Sequence, residues 1–306
     1  MLDGWLVSAR LAQYLGLMAG FGLALFAWHA LLREHADAAI TRRLLRLAGI
    51  ASMLVVLASV FGLWAMAHAM GGGDASDTWA TARILLTQTA AGMAWIVRVV
   101  LLALVACLAA SSRLRVGMRV VGMTVLGAGA LSTLAWAGHG AMSEGEGAWL
   151  HLVADIAHLL VAGAWFGALV ALVLVARQAS GEADAASVRL LADVSRGFAR
   201  LGSIIVVVLF ASGVANYIFV VGPDVSGVFA SAYGRLLLAK LGAFAGMLAL
   251  AAANRFRFAP ALARALQEGD AASAVSMLRR SLQTETALAV VVLVLVALLG
   301  TLNPAG

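Results

Sequence analysis

Three polar side chains lie in an otherwise apolar stretch of the sequence, HLVADIAHLLVAGAWFG, which runs from residue 151 to residue 167. His151, Asp155 and His158 are spaced four and three residues apart, so an α-helix places them on one face, one turn above the next. Imidazole nitrogens and a carboxylate suit copper or zinc. The spacing therefore predicts a metal site, with Asp155 either as a direct ligand or as an acceptor that fixes a histidine tautomer.

The composition indicates which elements must position these residues. Of the 306 residues, 63% are hydrophobic and 12% are charged, whereas about a quarter are charged in a typical soluble protein. The chain is therefore predicted to be an integral membrane protein. The single cysteine, Cys107, excludes an intrachain disulfide and a multi-cysteine metal site. The net charge of +6 comes from loop charges between apolar stretches, so it indicates membrane topology and no nucleic-acid partner.

Eight apolar stretches are long enough to cross a bilayer core of about 30 Å, which takes roughly 20 helical residues. They cover residues 11–32, 45–70, 84–110, 117–139, 149–176, 198–221, 233–254 and 282–302. The predicted fold class is all-α, a polytopic protein with eight transmembrane helices. Residues 1–306 are expected to form a single membrane domain, with spans one to four in residues 1–135 and a second part in residues 136–302.

The charges of the connections predict the orientation of the chain. Arginines follow spans one, three, five and seven, whereas the connections after spans two, four and six read GGGDASD, GAMSEGEG and GPDVSG. The positive-inside rule places both termini and these acidic or neutral connections on the periplasmic side. No cleavable signal peptide is expected, because the first apolar stretch reads as a full span. The long connection over residues 255–281 is expected to be a cytoplasmic surface helix or a linker.

Four of the six histidines converge at the predicted periplasmic end, although they come from three helices. His68 lies at the end of span two and His139 at the end of span four, while His151 and His158 lie in span five. Methionine thioethers select Cu(I), so methionines at the same end favour copper, although methionine also serves as core packing. The predicted metal ligands are His68, His139, His151, Asp155 and His158, with Met66, Met70 and Met142 as possible soft ligands.

Lys240, the only lysine of the chain, lies within predicted span seven. An ionisable residue inside a span is a functional candidate, and Asp155 or a backbone carbonyl is the expected partner of Lys240. Two interpretations stay open for the polar residues around it: they line a pathway, or they only join spans six and seven. This group comprises Asn216, Tyr217, Arg235 and Lys240.

The remaining intramembrane polar residues are interpreted as structural. Arg98 in span three is expected to snorkel towards the cytoplasmic surface. Glu285 of span eight is expected to pair with Asn254 and Arg255 at the cytoplasmic end. The histidines interpreted as interface residues at the cytoplasmic end of span one are His29 and His35.

Three signatures in the second half of the chain are typical of one known family. They are S-G-x-x-N-Y within FARLGSIIVVVLFASGVANYIFVVG, then Y-G-x-L-L-L-x-K and N-R within YGRLLLAKLGAFAGMLALAAANRFRFAPAL, and they are followed by ETALAVVVLVLVALLG. With these motifs, and with the preceding GH…HLVADIAHLLVAGAWFGAL, residues 136–302 resemble the CopD copper-resistance family of bacterial inner-membrane proteins. The resemblance implies eight spans, copper handling at the periplasmic face and copper passage into the cytoplasm. The family's ligands would correspond to His139, His151, Asp155 and His158.

The resemblance also implies a partner, a small periplasmic copper-binding protein called CopC, which is expected to be separate from this chain. The expected function is therefore copper homeostasis, not enzymatic catalysis. Copper is expected to bind at a periplasm-facing His/Asp site between spans two, four and five and to cross the inner membrane. Two alternatives stay open: a membrane oxidoreductase that holds haem between histidines, and a sensor or assembly protein that binds copper without moving it.

Overall fold

A computed structural model of the chain describes residues 4–32, 35, 38–72, 74–137, 147–182, 185–222 and 231–302. These residues are helical apart from short connections, and no strand occurs among them. They include eight helical segments that are long and apolar enough to cross a membrane. The predictions of an all-α fold and of eight membrane-spanning helices are confirmed.

Ten α-helices follow one another along the described chain. They are α1 (Gly4–Phe26), α2 (Ala39–Met70), α3 (Ala75–Gln88), α4 (Ala90–Ala110), α5 (Val116–Ser132), α6 (Ala148–Glu182), α7 (Ala185–Val220), α8 (Ala232–Ala253), α9 (Ala259–Glu268) and α10 (Ala272–Leu299). Segments of different pitch continue three of them: a π-helical turn at Ala27–Leu31, a 3-10 turn at Thr133–Ala137 and a π-helical turn at Asn254–Phe258. Residues 255–281, expected to be a cytoplasmic surface helix or a linker, contain the short helix α9 and the start of α10.

Two span boundaries differ from the sequence prediction. The predicted span over residues 84–110 is two helices, because Thr89 adopts an extended conformation between α3 and α4 and its side chain accepts a hydrogen bond from Gly92 N at 2.9 Å. The helix α7 begins at Ala185, well before the apolar stretch at residue 198. Hydropathy marks the part of a helix that fits the bilayer, whereas the backbone hydrogen bonds continue into polar sequence.

The two ends of the bundle differ in charge. Successive spans joined by short connections run antiparallel, so the connections after the first, third, fifth and seventh spans share one end, here called the arginine-rich end. The opposite end, here called the terminal end, holds the start of α1 and the end of α10. The start of α1 and the end of α10 contact each other directly, because the Arg10 guanidinium donates a hydrogen bond to the carbonyl oxygen of Gly300.

Glycines let α1 and α6 approach closely in the middle of the bundle. A Cβ atom placed on Gly22 of α1 would lie 2.2 Å from the carbonyl oxygen of Gly163, and one placed on Gly167 would lie 2.3 Å from the Gly22 backbone. Gly163 and Gly167 have the G-x-x-x-G spacing that allows close backbone contact between membrane helices. This contact fixes α6 against α1, and it therefore fixes the direction in which the polar face of α6 points.

Arg98 of α4 is buried inside the bundle, with 3% of its side chain exposed. Its guanidinium donates hydrogen bonds to Thr133 Oγ1 at 2.8 Å, to Thr133 O at 3.2 Å and to Gln13 Oε1 at 3.1 Å. The expectation that Arg98 snorkels to the cytoplasmic surface is wrong. Because α4 begins only at Ala90, Arg98 lies about 12 Å from the start of its helix, where α1 and the turn after α5 supply acceptors.

Replacement of Gly167 by alanine is expected to lower the melting temperature of the detergent-solubilised protein. The new Cβ would overlap the Gly22 backbone, and overpacking of this kind costs about 1–3 kcal/mol. The matched control is Gly242→Ala on α8, where a Cβ meets nothing within 4 Å. Equal melting temperatures for the two variants, measured by thermal unfolding, would contradict the close contact of α1 and α6.

Candidate metal centre

His151, Asp155 and His158 lie on the face of α6 that packs against α7, as their helical spacing predicts. The two helices run antiparallel, so the partner residues on α7 come in reverse order along the chain. His151 is 2% exposed, and its ring stacks on Phe219 with 4.8 Å between the centroids and 12° between the planes. The face is thus closed by an aromatic ring at the terminal end of α6.

Asp155 has one neutral and one charged neighbour. Asn216 Nδ2 donates a hydrogen bond to Asp155 Oδ1 at 3.2 Å, and Lys240 of α8 is close enough to interact electrostatically with the carboxylate. The other polar atom of that amide, Asn216 Oδ1, is buried and has no hydrogen-bond partner within the described part of the chain. Leaving a buried acceptor unpaired costs about 1–3 kcal/mol, so this oxygen favours a cation or a donor beside Asp155.

The hydrogen bonds around His158 determine its tautomer. His158 Nδ1 lies 3.0 Å from Ser212 Oγ, and the Ser212 hydroxyl lies 2.6 Å from the carbonyl oxygen of Val208. A carbonyl can only accept, so the hydroxyl donates its proton to Val208 O and must accept from His158 Nδ1. The lone pair of the neutral imidazole is therefore on Nε2. A second-shell hydrogen bond of this kind is typical of metal-binding histidines.

His68 lies on another side of the bundle, among α1, α2 and α3. Its ring stacks on Trp64 with centroids 5.2 Å apart and meets Trp5 edge-on at 5.7 Å. Its Nδ1 lies 3.2 Å from Thr78 Oγ1, whose hydroxyl donates to Asp74 O at 2.8 Å, so Nδ1 is the donor here as well. Because α1 packs between α2 and α6, the structure does not bring His68 to the face formed by His151, Asp155 and His158.

The predicted soft ligands on α2 do not lie beside His68. Met66 and Met70 are exposed and four residues apart, so they share one side of α2, and His68 lies on the opposite side. His139 and Met142 lie outside the described residues. The 3-10 turn Thr133–Ala137, which precedes His139 by two residues, packs against α6.

Some of the other predicted polar residues approach the polar face of α6, and others do not. Asn216 and Lys240 approach Asp155, whereas Tyr217 is half-buried and interacts with Tyr233 across α7 and α8. Arg235 is exposed. The π-helical turn after α1 exposes His29, and His35 is partly exposed, in keeping with their interpretation as interface residues.

The described residues supply part of a coordination sphere. Across these residues, no three histidine, cysteine, aspartate or glutamate side chains come close enough together to hold one metal ion. The polar atoms on the facing sides of α6 and α7 that could act as donors are His158 Nε2, the Asp155 carboxylate and Asn216 Oδ1. Nitrogen and oxygen donors of this kind suit Cu(II), and an added thioether would shift the preference towards Cu(I).

Ser212 and Phe219 are the partner residues that were not predicted from the sequence. A signal for them exists, because Ser212, Asn216 and Phe219 are spaced four and three residues apart. The three polar residues of α6 have the same spacing along the chain. Two antiparallel helices with matching repeats place such residues opposite one another at each turn.

Comparisons with known proteins cover almost the whole chain. The family model described as copper resistance protein D-like, N-terminal domain, matches residues 1–149, and the model described as copper resistance protein D matches residues 192–299. Copper resistance protein D of Pseudomonas syringae pv. tomato is 42% identical over 306 residues, which cover 99% of this chain and 98% of that protein. Inner membrane protein YebZ of Escherichia coli (strain K12) is 29% identical over 300 residues, which cover 97% and 98%. No solved structure matches the chain.

The match extends beyond the motifs of the second half. The N-terminal family model includes the first four membrane-spanning helices, and the second model includes most of α7 and all of α8, α9 and α10. A relative with 42% identity over the full length shares the whole architecture, not one segment of it. The chain therefore belongs to the copper resistance protein D family.

Proposed function

We propose that this protein is a copper homeostasis protein of the bacterial inner membrane, which binds copper at the α6–α7 face and moves it into the cytoplasm. The single observation that carries the proposal is the hydrogen bond between His158 Nδ1 and Ser212 Oγ, at 3.0 Å. Ser212 holds Nδ1 as the donor, so the Nε2 lone pair is available to a metal ion inside an apolar bundle. The names of the matching families and of the full-length relative support copper as that metal.

Under this proposal the terminal end of the bundle faces the periplasm. The arginine-rich end is then cytoplasmic, in agreement with the positive-inside rule. Asp74 and Asp77, both exposed at the terminal end, raise the local concentration of cations. A small soluble copper-binding protein of the CopC type is the proposed donor at this surface.

Copper is proposed to move along the polar face of α6. His139 and His151 capture it near the terminal end, and His158 with Asp155 holds it deeper. Lys240 supports such a cycle, because its ammonium group and a copper ion compete for the same Asp155 carboxylate. The attraction between Lys240 and Asp155 balances the buried charges when copper has left, which lowers the cost of charge in the membrane. No catalytic step is assigned.

Purified wild-type protein is expected to contain copper, and His158→Ala and His151→Ala are expected to lose most of it. The matched control is His29→Ala, which removes an exposed histidine at the other end of the bundle. Metal analysis and the absorption spectrum of the detergent-purified protein measure this. Copper content that is unchanged in His158→Ala would contradict the proposed site, and a Soret band lost in the same variant would assign the histidines to haem.

Ser212→Ala is expected to weaken copper binding about 10–100-fold, the usual effect of removing the group that orients a metal-binding histidine. The variant leaves His158 in place but frees Nδ1 from its acceptor. Ser203→Ala is the control, because Ser203 is an exposed serine on the same helix. Competition titrations with a copper chelator give the affinities. Equal affinities for the two variants would show that the tautomer does not matter.

Transport is tested by copper flux into vesicles that contain the reconstituted protein and an enclosed copper-sensitive dye. Wild-type protein is expected to carry copper, and His158→Ala is expected to reduce the rate to that of empty vesicles. The control is again His29→Ala. Wild-type protein that binds copper but gives no flux would support a sensor or assembly protein instead.

A further inference from the structure

A second polar cluster lies on the same face of α6, closer to the arginine-rich end. Trp165 follows His158 by seven residues, or about 10 Å along the helix. Trp165 Nε1 donates to Glu285 Oε1 at 2.9 Å, and Asn254 Nδ2 donates to Glu285 Oε2 at 2.7 Å. Glu285 of α10 is 2% exposed. The predicted pairing of Glu285 with Asn254 is confirmed, and Arg255 donates a hydrogen bond to Ser203 Oγ of α7.

A cavity of about 380 Å³ leads from the arginine-rich end to this cluster. Its walls are α6, α7, α8, α10 and the π-helical turn Asn254–Phe258. It lies where α7 and α8, although successive in the chain, share no extended contact among the described residues. Ser203 and Arg255 are exposed and lie at the mouth, whereas Glu285 and Trp165 are buried at the inner wall.

The charges around the cavity favour a proton as the ligand of Glu285. Among the described residues that line it, Glu285 and Arg255 are the charged ones. A metal ion needs several ligand groups, whereas here a single carboxylate faces the cavity. A proton needs only the carboxylate. Other ionisable residues on α10 and on the elements that pack against it do not line the cavity. They include Arg10, Tyr14, His151, Asp155, His158, Arg177, Tyr233, Arg235, Lys240, Arg257, Arg264, Glu268, Arg279 and Arg280.

Asn254 can satisfy both protonation states of Glu285. With the carboxylate ionised, both of its oxygens accept hydrogen bonds, from Trp165 and from Asn254. The acid form carries a hydrogen on Oε2 and needs an acceptor there. Asn254 Oδ1 is buried without a hydrogen-bond partner in the described structure, and rotation of the amide by half a turn brings this oxygen to the acid. Trp165 donates to Oε1 in either state.

We propose that Glu285 is a proton-binding site that exchanges one proton with the arginine-rich end through this cavity. The step converts a carboxylate and a proton into a carboxylic acid, with no change of oxidation state. Its link with copper rests on the proposed function: binding and release of this proton accompany the passage of copper along the same face of α6. The positive charge that copper brings into the membrane is thereby offset by the positive charge of the proton that leaves Glu285.

Infrared difference spectra of the full-length protein, recorded between acidic and alkaline pH, test the site directly. Wild-type protein is expected to show the carbonyl band of a buried carboxylic acid that is lost in Glu285→Gln. The control is Glu268→Gln, which replaces an exposed glutamate on α9 and is expected to keep the band. A band of equal intensity in Glu285→Gln, or no band in the wild type, would overturn the proposal.

A second variant covers the case in which Glu285→Gln does not fold. Trp165→Phe keeps an aromatic ring at this position and removes the indole N–H that donates to Glu285 Oε1, so the carbonyl band is expected to move to higher frequency. An unmoved band would overturn the assignment of the proton site to Glu285.

Copper measurements separate this inference from the proposed function. Glu285→Gln is expected to bind as much copper as wild-type protein, while its copper flux no longer responds to the pH on the side of the vesicle membrane that the arginine-rich end faces. A flux that keeps the pH response of the wild type would overturn the coupling. If wild-type protein binds no copper, the proposed function is contradicted. The infrared band would still decide whether Glu285 binds a proton.

Discussion

A polar side chain inside an apolar bundle needs a partner at a fixed position, and this requirement organises the protein around α6. His158 meets Ser212 and Asp155 meets Asn216 on α7, while Trp165 meets Glu285 on α10. An apolar bundle offers these groups few other partners, so each pair also sets the rotation and the depth of the helices that contribute it. The polar face of α6 is therefore both the candidate site and the element that aligns α7 and α10.

The sequence was sufficient to predict the spans and the polar face of α6. Hydropathy depends on residue type alone, and the spacing of His151, Asp155 and His158 defines one helix face whatever surrounds it. Depth within the membrane was also predictable for His68, which does lie near the end of α2. The direction in which His68 points around the helix axis was not predictable, because this direction depends on which helices pack against α2. The structure turns His68 towards Trp5 and Thr78, away from α6.

For Arg98, a charged residue, the sequence likewise could not predict which neighbours the side chain meets. From the sequence, a guanidinium inside a span has two ways to avoid lipid, since it can reach the nearer surface or find acceptors within the bundle. The choice depends on the break at Thr89, which moves Arg98 towards the terminal end, and on Gln13 and Thr133, which come from distant parts of the chain. None of these contacts has a local sequence signature. Tertiary neighbours decide the outcome.

The glycine contact between α1 and α6 has a mechanical consequence. Backbones that touch at Gly22 and Gly167 leave no room to slide or rotate, so the two helices behave as one rigid body. The looser seam is between α7 and α8, which are separated by the cavity. In the transport cycle proposed above, a path would open and close at this seam while the pair of α1 and α6 stays fixed. His158 and Asp155 would then keep their places on α6 as the seam between α7 and α8 changes.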